Sequence, residues 1–302
     1  MTVRVLINGA FGRMGQLASS VVQELTGFEL VAKCGRGDDL AAAINQHQAD
    51  VVIDFTTATA AYENTEIILN NKARPIIGTS GLNQDQVNHL KIMAEKYNIG
   101  GIIAPNFAIG ALLLMEFSAM AARFFSKIEI VEMHHQNKKD APSGTAIRTA
   151  EMIAAELTEN PSSLEIPIHS LRLPGVLARQ QVIFGNAGET LTLDHNAQNY
   201  EVYTAGIRLA CKRVMAEKEL IYGLHHFLNL SSLKLSKPVF SNRTPMSERK
   251  RVMSSLSRST MYGVTIRVRT RDSAVNSSAG RAPVFLNSAC RCVSLTARSR
   301  SR

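Results

Sequence analysis

The densest collection of proton-transferring and anion-binding residues lies in one segment, Glu129 to Ala146, reading EIVEMHHQNKKDAPSGTA. Two adjacent histidines, His134 and His135, are followed by Lys138 and then by Pro142-Ser143-Gly144-Thr145, a turn that opens a helix. Histidine gives or takes a proton near neutral pH. Lysine offers a fixed positive charge, and the free amides at a helix start favour a negative one. A dicarboxylate substrate would use such a set. Tetrahedral zinc is the rival for the histidine pair, but no third His, Cys or Asp stands at a matching spacing. No metal is therefore expected, and a purely structural histidine pair is the remaining alternative.

A second candidate is Gly9-Ala10-Phe11-Gly12-Arg13-Met14-Gly15, directly after a strand-like run and at the start of a helical pattern. Glycines there let the backbone approach a pyrophosphate, and the helix-start amides favour its charge. The spacing is GxxGxxG rather than GxGxxG, so a ligand-free strand-to-helix turn is the competing reading. Arg13, inside the turn, could reach a phosphate. After the second strand stands Lys33-Cys34-Gly35-Arg36-Gly37-Asp38-Asp39, with basic residues where an NADH-binding chain places an acid. Arg36 therefore points toward NADPH, with Asp38 and Asp39 as the counterargument and a solvated loop charge as the alternative for Arg36. Two further strand-end loops, Gly78-Thr79-Ser80-Gly81 and Ala104-Pro105-Asn106-Phe107, fall on the same side of a parallel sheet, where ligands bind.

The elements that must position these residues are legible from periodicity. Strand-like runs at Val3 to Asn8, Phe28 to Ala32, Val51 to Asp54, Pro75 to Gly78 and Gly101 to Ala104 alternate with helical patterns at Met14 to Leu25, Asp38 to Gln46, Ala60 to Leu69 and Gln84 to Tyr97. Such alternation predicts a doubly wound parallel sheet. After a long apolar helix at Ala111 to Phe125, the run Lys127 to Met133 alternates as a half-buried strand. A helix at Gly144 to Glu156 is followed by three short alternating segments, IHSLRL, QQVIFG and TLTLDH, which suit an antiparallel or mixed sheet. A helix from about Ala205 to Glu217 and the segment Leu220 to Leu228 close the body. The expected fold is an α/β Rossmann-like domain plus an α+β domain.

The 302 residues are 45% hydrophobic and 20% charged, a globular profile that excludes wholesale disorder. No run of 18 apolar residues occurs, so a cytoplasmic protein with no membrane span or signal peptide is expected. The four cysteines, Cys34, Cys211, Cys290 and Cys292, are too scattered for a disulfide framework. Charge divides unevenly. Residues 231–302 carry twelve Arg and three Lys against Glu248 and Asp272, which leaves the first 230 residues mildly acidic although the whole chain is +9. This Ser/Arg-rich tail is expected to be disordered and to stand outside the functional unit. A basic arm for nucleic acid is the less favoured reading, since Phe240, Tyr262 and Phe285 stand apart instead of forming stacking platforms.

From Val3 to Leu228 the chain resembles the dihydrodipicolinate reductase family of the diaminopimelate/lysine pathway. The resemblance is carried by GAFGRMG, VIDFT, GTSG, APNF and, most specifically, the E-x-HH-x-x-K-x-D-A-P-S-G-T-A block. It implies reduction of a dihydrodipicolinate-level ring to tetrahydrodipicolinate with NADPH, NADH or both, by a homotetramer. By position it implies that His134 is the catalytic proton donor and acceptor and Lys138 a second proton donor. His135, Gly144 and Thr145 would contact the substrate carboxylates. Gly9, Ala10, Phe11, Gly12, Arg13, Met14, Gly78, Thr79, Ser80, Ala104, Pro105, Asn106 and Phe107 would contact the cofactor. Residues 1–106, completed by 206–228, would form the dinucleotide domain, and 107–205 the substrate and tetramerisation domain. Three departures stand out. GTSG replaces the frequent GTTG, Ala178-Arg179-Gln180 replaces Gly-Glu-His, and the acid after the second strand is missing. Another NAD(P)-dependent oxidoreductase on this scaffold, or a non-catalytic dinucleotide- or RNA-binding protein, are the alternatives, both disfavoured by the intact histidine block.

Overall fold

A computed structural model describes residues 2–79, 81–158, 164–228, 230 and 265–270. The chain runs β1 (Val3–Asn8), α1 (Arg13–Glu24), β2 (Phe28–Cys34), α2 (Leu40–Gln46), β3 (Val51–Asp54), α3 (Ala61–Asn70), β4 (Arg74–Ile77), α4 (Gln84–Tyr97), β5 (Gly101–Ile103) and α5 (Ile109–Ala122). It continues through β6 (Lys127–His134), α6 (Gly144–Leu157), β7 (Ile168–Arg172), β8 (Ala178–Asn186), β9 (Glu189–Ala197), α7 (Thr204–Val214), β10 (Leu220–Tyr222) and β11 (Thr265–Thr270). The described residues fall into two compact units, one within Met1–Glu116, Gly175–Ala178 and Ala197–Pro238, the other within Phe117–Pro174, Arg179–Asn196 and Val239–Arg302.

The first unit holds a six-stranded sheet in the order β10-β5-β4-β3-β1-β2. Every neighbouring pair is parallel. Burial on both faces explains the near-continuous apolar runs: all four residues of β3 are buried, as are Val5, Leu6 and Ile7 of β1. The core on one side joins Leu6, Val52 and Ile77 of the sheet to Ile44, Ile68 and Leu90 of α2, α3 and α4. Strand order reverses between β1 and β3, and ligands in open parallel sheets bind beyond the carboxyl ends at such a switch point. The loops after β1 and β3 therefore occupy the favoured place. The segment Leu220 to Leu228 contributes the edge strand β10 beside β5, followed by a short 3-10 turn.

The second unit is built on a mixed sheet in the order β11-β9-β8-β6-β7. β6 and β7 are parallel, β11 and β9 antiparallel. β8 and β9 are joined by Ala187-Gly188, where Gly188 has a φ of 87° suited to a tight hairpin. β6 alternates as read, with Ile128, Ile130 and Glu132 buried on one face. In the basic tail, Thr265–Thr270 pairs with β9 along Glu189 to Asp194. Apart from that strand, the expectation of disorder for residues 231–302 lies outside the described residues.

Candidate active site

In the first unit, the turn after β1 is fastened by Gly9 and Ala10, whose amides both donate to the Cys34 carbonyl at the end of β2, at 2.9 and 3.0 Å. The three glycines serve different ends. Gly9 has a φ of 77°, and a Cβ there would meet the Phe55 carbonyl oxygen at 2.6 Å. A Cβ on Gly15 would meet the Gly9 oxygen at 2.1 Å, so this glycine lets α1 press on the turn. Gly12 is under neither constraint: its φ is −76°, and the nearest atom to an added Cβ is 3.5 Å away. Gly12 also precedes the first turn of α1, which has no side-chain cap and no acidic residue. Uncapped amides beside this bare position could hold a phosphate. The residues fit a dinucleotide.

Around this turn lie the other residues expected at a cofactor. Ala10 is buried, whereas the Phe11 ring is 67% exposed and lies over Gly35. Met14 is half-buried. The Arg13 guanidinium donates to the Tyr200 hydroxyl at 2.9 Å and sits 5.5 Å from that ring's centre, so Tyr200, on the 3-10 turn before α7, holds the arginine beside the turn. Beyond β2, Asp38 accepts from the Gly35 amide at 2.7 Å and Asp39 caps α2 through the Ala42 amide at 3.0 Å. Arg36 is exposed, with no ion pair among the described residues.

One buried carboxylate ties the strand-end loops together. Asp54, fully buried at the end of β3, accepts from Asn8 and Asn64 at 2.8 Å each. It also accepts from the Thr56 amide and hydroxyl at 3.0 and 2.7 Å, and from the Thr79 hydroxyl at 3.2 Å. Thr79 thus spends its hydroxyl inside the protein. Gly78 is bare because the Phe55 ring would lie 2.0 Å from a Cβ. Ser80 lies outside the described residues. In the next loop Ala104 and Phe107 are buried, Phe107 against Phe55 with ring centres 5.3 Å apart. Pro105 is exposed, and Asn106 accepts from the Ala108 amide at 2.8 Å, ordering the start of α5. In this loop Pro105 carries the exposed side chain. A role for Asp54 has a sequence signal, a lone carboxylate closing an apolar strand, but its partners come from four separate segments.

In the second unit, the histidine block runs from the end of β6 through a loop with a cis Ala141-Pro142 peptide into α6. His134 ends β6, with its Nδ1 2.5 Å from Glu132 Oε2. Arg172, the register partner of His134 on β7, grips the same carboxylate with both arms, Nη1 to Oε2 at 3.0 Å and Nη2 to Oε1 at 2.9 Å. Glu132 also receives the Ser143 amide at 3.2 Å. Burial pushes the Glu132 carboxyl up, but hydrogen bonds from Arg172, Ser170 and His134 outweigh it and hold the group below the usual carboxylate range. For His134, burial pushes the imidazole down and prevails over the pull of Glu132, with Lys138 and Arg172 adding to the lowering.

Lys138 donates to both oxygens of Asp140 at 2.8 and 2.7 Å, which holds the Asp140 carboxyl low. The Asp140 carbonyl accepts from Arg172 at 2.6 Å, so the loop is pinned at both ends by one guanidinium. His135 is half-buried and its carbonyl accepts the Lys138 amide at 3.1 Å. Ser143 caps α6 through the Ala146 amide at 3.2 Å. Gly144 and Thr145 open the helix, and nothing lies within 4 Å of a Cβ built on Gly144. His134, His135 and Lys138 on this pinned loop and Gly144 and Thr145 at the start of α6 therefore bring together two imidazoles, a cation and a helix start. The roles of Glu132 and Arg172 escaped the reading of the block. The signal for Glu132 was its place among Ile128 and Ile130 on the buried face of an alternating strand, where a charge needs a partner. The departure at Ala178-Arg179-Gln180 is accommodated: Arg179 pairs with Asp194 at 2.5 Å and Gln180 donates to Thr149 at 2.7 Å.

Residues 3–107 match the family described as dihydrodipicolinate reductase, N-terminus, and residues 110–228 its C-terminus. A 4-hydroxy-tetrahydrodipicolinate reductase of Legionella pneumophila (strain Paris) is 49% identical over 243 residues, which is 76% of this chain and all of the relative. One from Coxiella burnetii (strain Dugway 5J108-111) is 44% identical over 239 residues, with the same coverage. A solved structure, dipicolinate-bound dihydrodipicolinate reductase from Paenisporosarcina sp. TG-14, superposes with a TM-score of 0.66 at 38% identity, covering 76% of this chain and all of that one. The family matches and these identities agree with the glycine turn and the histidine block: the chain belongs to the dihydrodipicolinate reductase family.

Proposed function

We propose that this chain reduces a dihydrodipicolinate-level ring dicarboxylate to its tetrahydro form, using NAD(P)H, in lysine and diaminopimelate biosynthesis. It is an NAD(P)H-dependent oxidoreductase of its family. The observation that carries the reading is the pinned loop of the second unit, where His134, Lys138 and the start of α6 are gathered by Glu132 and Arg172. Bound at the bare Gly12 turn, a reduced nicotinamide nucleotide supplies the hydride. The protein supplies the rest. Reduction leaves a ring carbon that needs a proton, and His134 provides it from Nε2, the ring nitrogen turned away from Glu132. Lys138, exchanging Asp140 for a substrate carboxylate, and the helix-start amides at Gly144 and Thr145 offset the two negative charges. His135 contacts a carboxylate beside them. The ligand named for the Paenisporosarcina relative, dipicolinate, supports a planar ring dicarboxylate as the substrate class.

NADPH is the preferred coenzyme in this reading, because Asp38 and Asp39 are both engaged by backbone amides while Arg36 is exposed, with no ion pair among the described residues. The functional form is a cytoplasmic homotetramer, in keeping with the family resemblance. Among the described residues no helix is long and apolar enough to cross a membrane. The test is oxidation of NADPH and of NADH by the purified protein, with the ring substrate generated in situ. Substrate-dependent oxidation is expected. Nucleotide binding without turnover would leave the scaffold assigned and the activity refuted.

A further inference from the structure

Deepening the reading of His134 as the proton donor, and resting on it, we propose that Glu132, clamped by Arg172, is the positioning residue of that acid. It keeps a proton on His134 Nδ1, so that Nε2 is the nitrogen that gains and loses the exchanged proton. The argument begins with hydrogen-bond inventory. An ionised carboxylate only accepts. Glu132 Oε2 faces His134 Nδ1 at 2.5 Å, so Nδ1 must be the donor in both the neutral and the charged ring. Nε2 is then a lone pair in the neutral ring and an N–H in the cation. No partner for Nε2 is found among the described residues.

Such an arrangement works only while Glu132 stays ionised, and the carboxylate is fully buried. Arg172 secures it. Its two arms reach both oxygens, and the parallel register that sets His134 opposite Arg172 makes the arrangement a property of the β6–β7 pairing. The fork is aimed at Glu132 at some expense, since Arg172 Nε is buried without a hydrogen-bond partner among the described residues. Arg172 also limits what Glu132 does to the imidazole, because its positive charge opposes the pull of the carboxylate. The charged groups facing His134 are Glu132 from β6, Arg172 from β7, and Lys138 with its partner Asp140 from the loop. His135 is the adjacent titratable group. Two cations and one buried anion close at hand leave the ring ready to release its proton, with geometry rather than bulk solvent choosing the nitrogen.

A merely structural carboxylate, one that only anchors the Ser143 amide and the loop, would have no bearing on the tautomer. The test is the ¹⁵N spectrum of histidine-labelled full-length protein without nucleotide or substrate, with His134→Gln used to assign the signal. The expected result is a neutral His134 in the Nδ1–H form. The Nε2–H form, or an even mixture, overturns the proposal without any substitution having to fold. Glu132→Gln keeps the shape and an oxygen for Arg172 but presents an amide N–H to the ring. It is expected to switch the tautomer and lower kcat by about 10² or more with KM little changed, as wrong-tautomer variants of other histidine sites do. Unchanged kcat with an unchanged tautomer in Glu132→Gln also overturns the proposal. Failure of the underlying reading looks different: His134→Gln would turn over at the full rate while the wild-type ring still showed Nδ1–H.

Discussion

At the scale of single residues, His134, the proposed acid, is expected to govern the pH dependence. Burial, assisted by Lys138 and Arg172, lowers its pKa below its ordinary value near 6.5. An acid works only while protonated, so kcat/KM, which reports the free enzyme, is expected to fall as pH rises through that lowered value. A dianionic substrate beside the ring favours the imidazolium, so the falling limb of kcat should lie at higher pH than that of kcat/KM. Coincident limbs in the two profiles would remove the substrate's charge from the explanation. Replacing His134 by Gln should lower kcat by about 10² to 10⁴, measured as nicotinamide oxidation at saturating substrate. Arg36 is the corresponding proposed residue for coenzyme choice. Arg36→Ser is expected to raise KM for NADPH by about tenfold, roughly one charge-assisted contact, and to leave KM for NADH unchanged; equal effects on both would return Arg36 to a solvated charge. His134, Lys138 and the helix start were legible as one cluster because they are contiguous in sequence. Arg172 was not, because its 40-residue separation from Glu132 closes only when β7 pairs in register with β6.

At the scale of elements, the strand-glycine-helix opening was readable from periodicity, but which glycine faces a ligand was not. That distinction needs the third dimension, where a Cβ on Gly15 would press into the Gly9 carbonyl while one on Gly12 would make only an ordinary van der Waals contact at 3.5 Å. Two alanine substitutions should therefore part company. Gly15→Ala forces a Cβ into backbone and is expected to cost about 1–3 kcal/mol of stability, seen as a lower Tm. Gly12→Ala should leave Tm unchanged and raise KM for the nucleotide, since its methyl would stand where the phosphate approaches. A matching loss of Tm in both would mean that the turn is structural throughout. Asp54 is a feature of several elements at once, joining the ends of β1 and β3, the first turns of α3 and the loop after β4. Replacing it by Ala strands several buried donors, each costing about 1–3 kcal/mol when unsatisfied. The expected outcome is a strongly lowered Tm together with weaker nucleotide binding. An Asp54→Ala protein that melts like the wild type would show that the loops hold their shape without this carboxylate. Such hubs elude sequence reading because no local pattern announces that Asn8, Thr56, Asn64 and Thr79 share one acceptor.

At the scale of the whole molecule, the abrupt change in composition near Asn229 marks where the family match stops, at residue 228. Relatives matched end to end correspond to 76% of this chain, so they are covered in full without residues 231–302. Compositional reading treats the tail as a basic, core-less segment, and no periodicity in it announced that Thr265–Thr270 would lie along the outer strand β9. Among the described residues that pairing is how the tail meets the second unit, supplying partners to an otherwise open sheet edge. The histidine loop hangs instead from β6 and β7, on the other side of β8 in the sheet order. A protein ending at residue 230 should therefore keep the kcat and KM of the full-length chain. It should lose the retention on a cation exchanger that twelve arginines and three lysines confer. Self-association of the shortened protein with unaltered turnover would assign the tail strand to edge protection. Loss of turnover in a shortened protein that still melts cooperatively would instead place the tail within the functional unit.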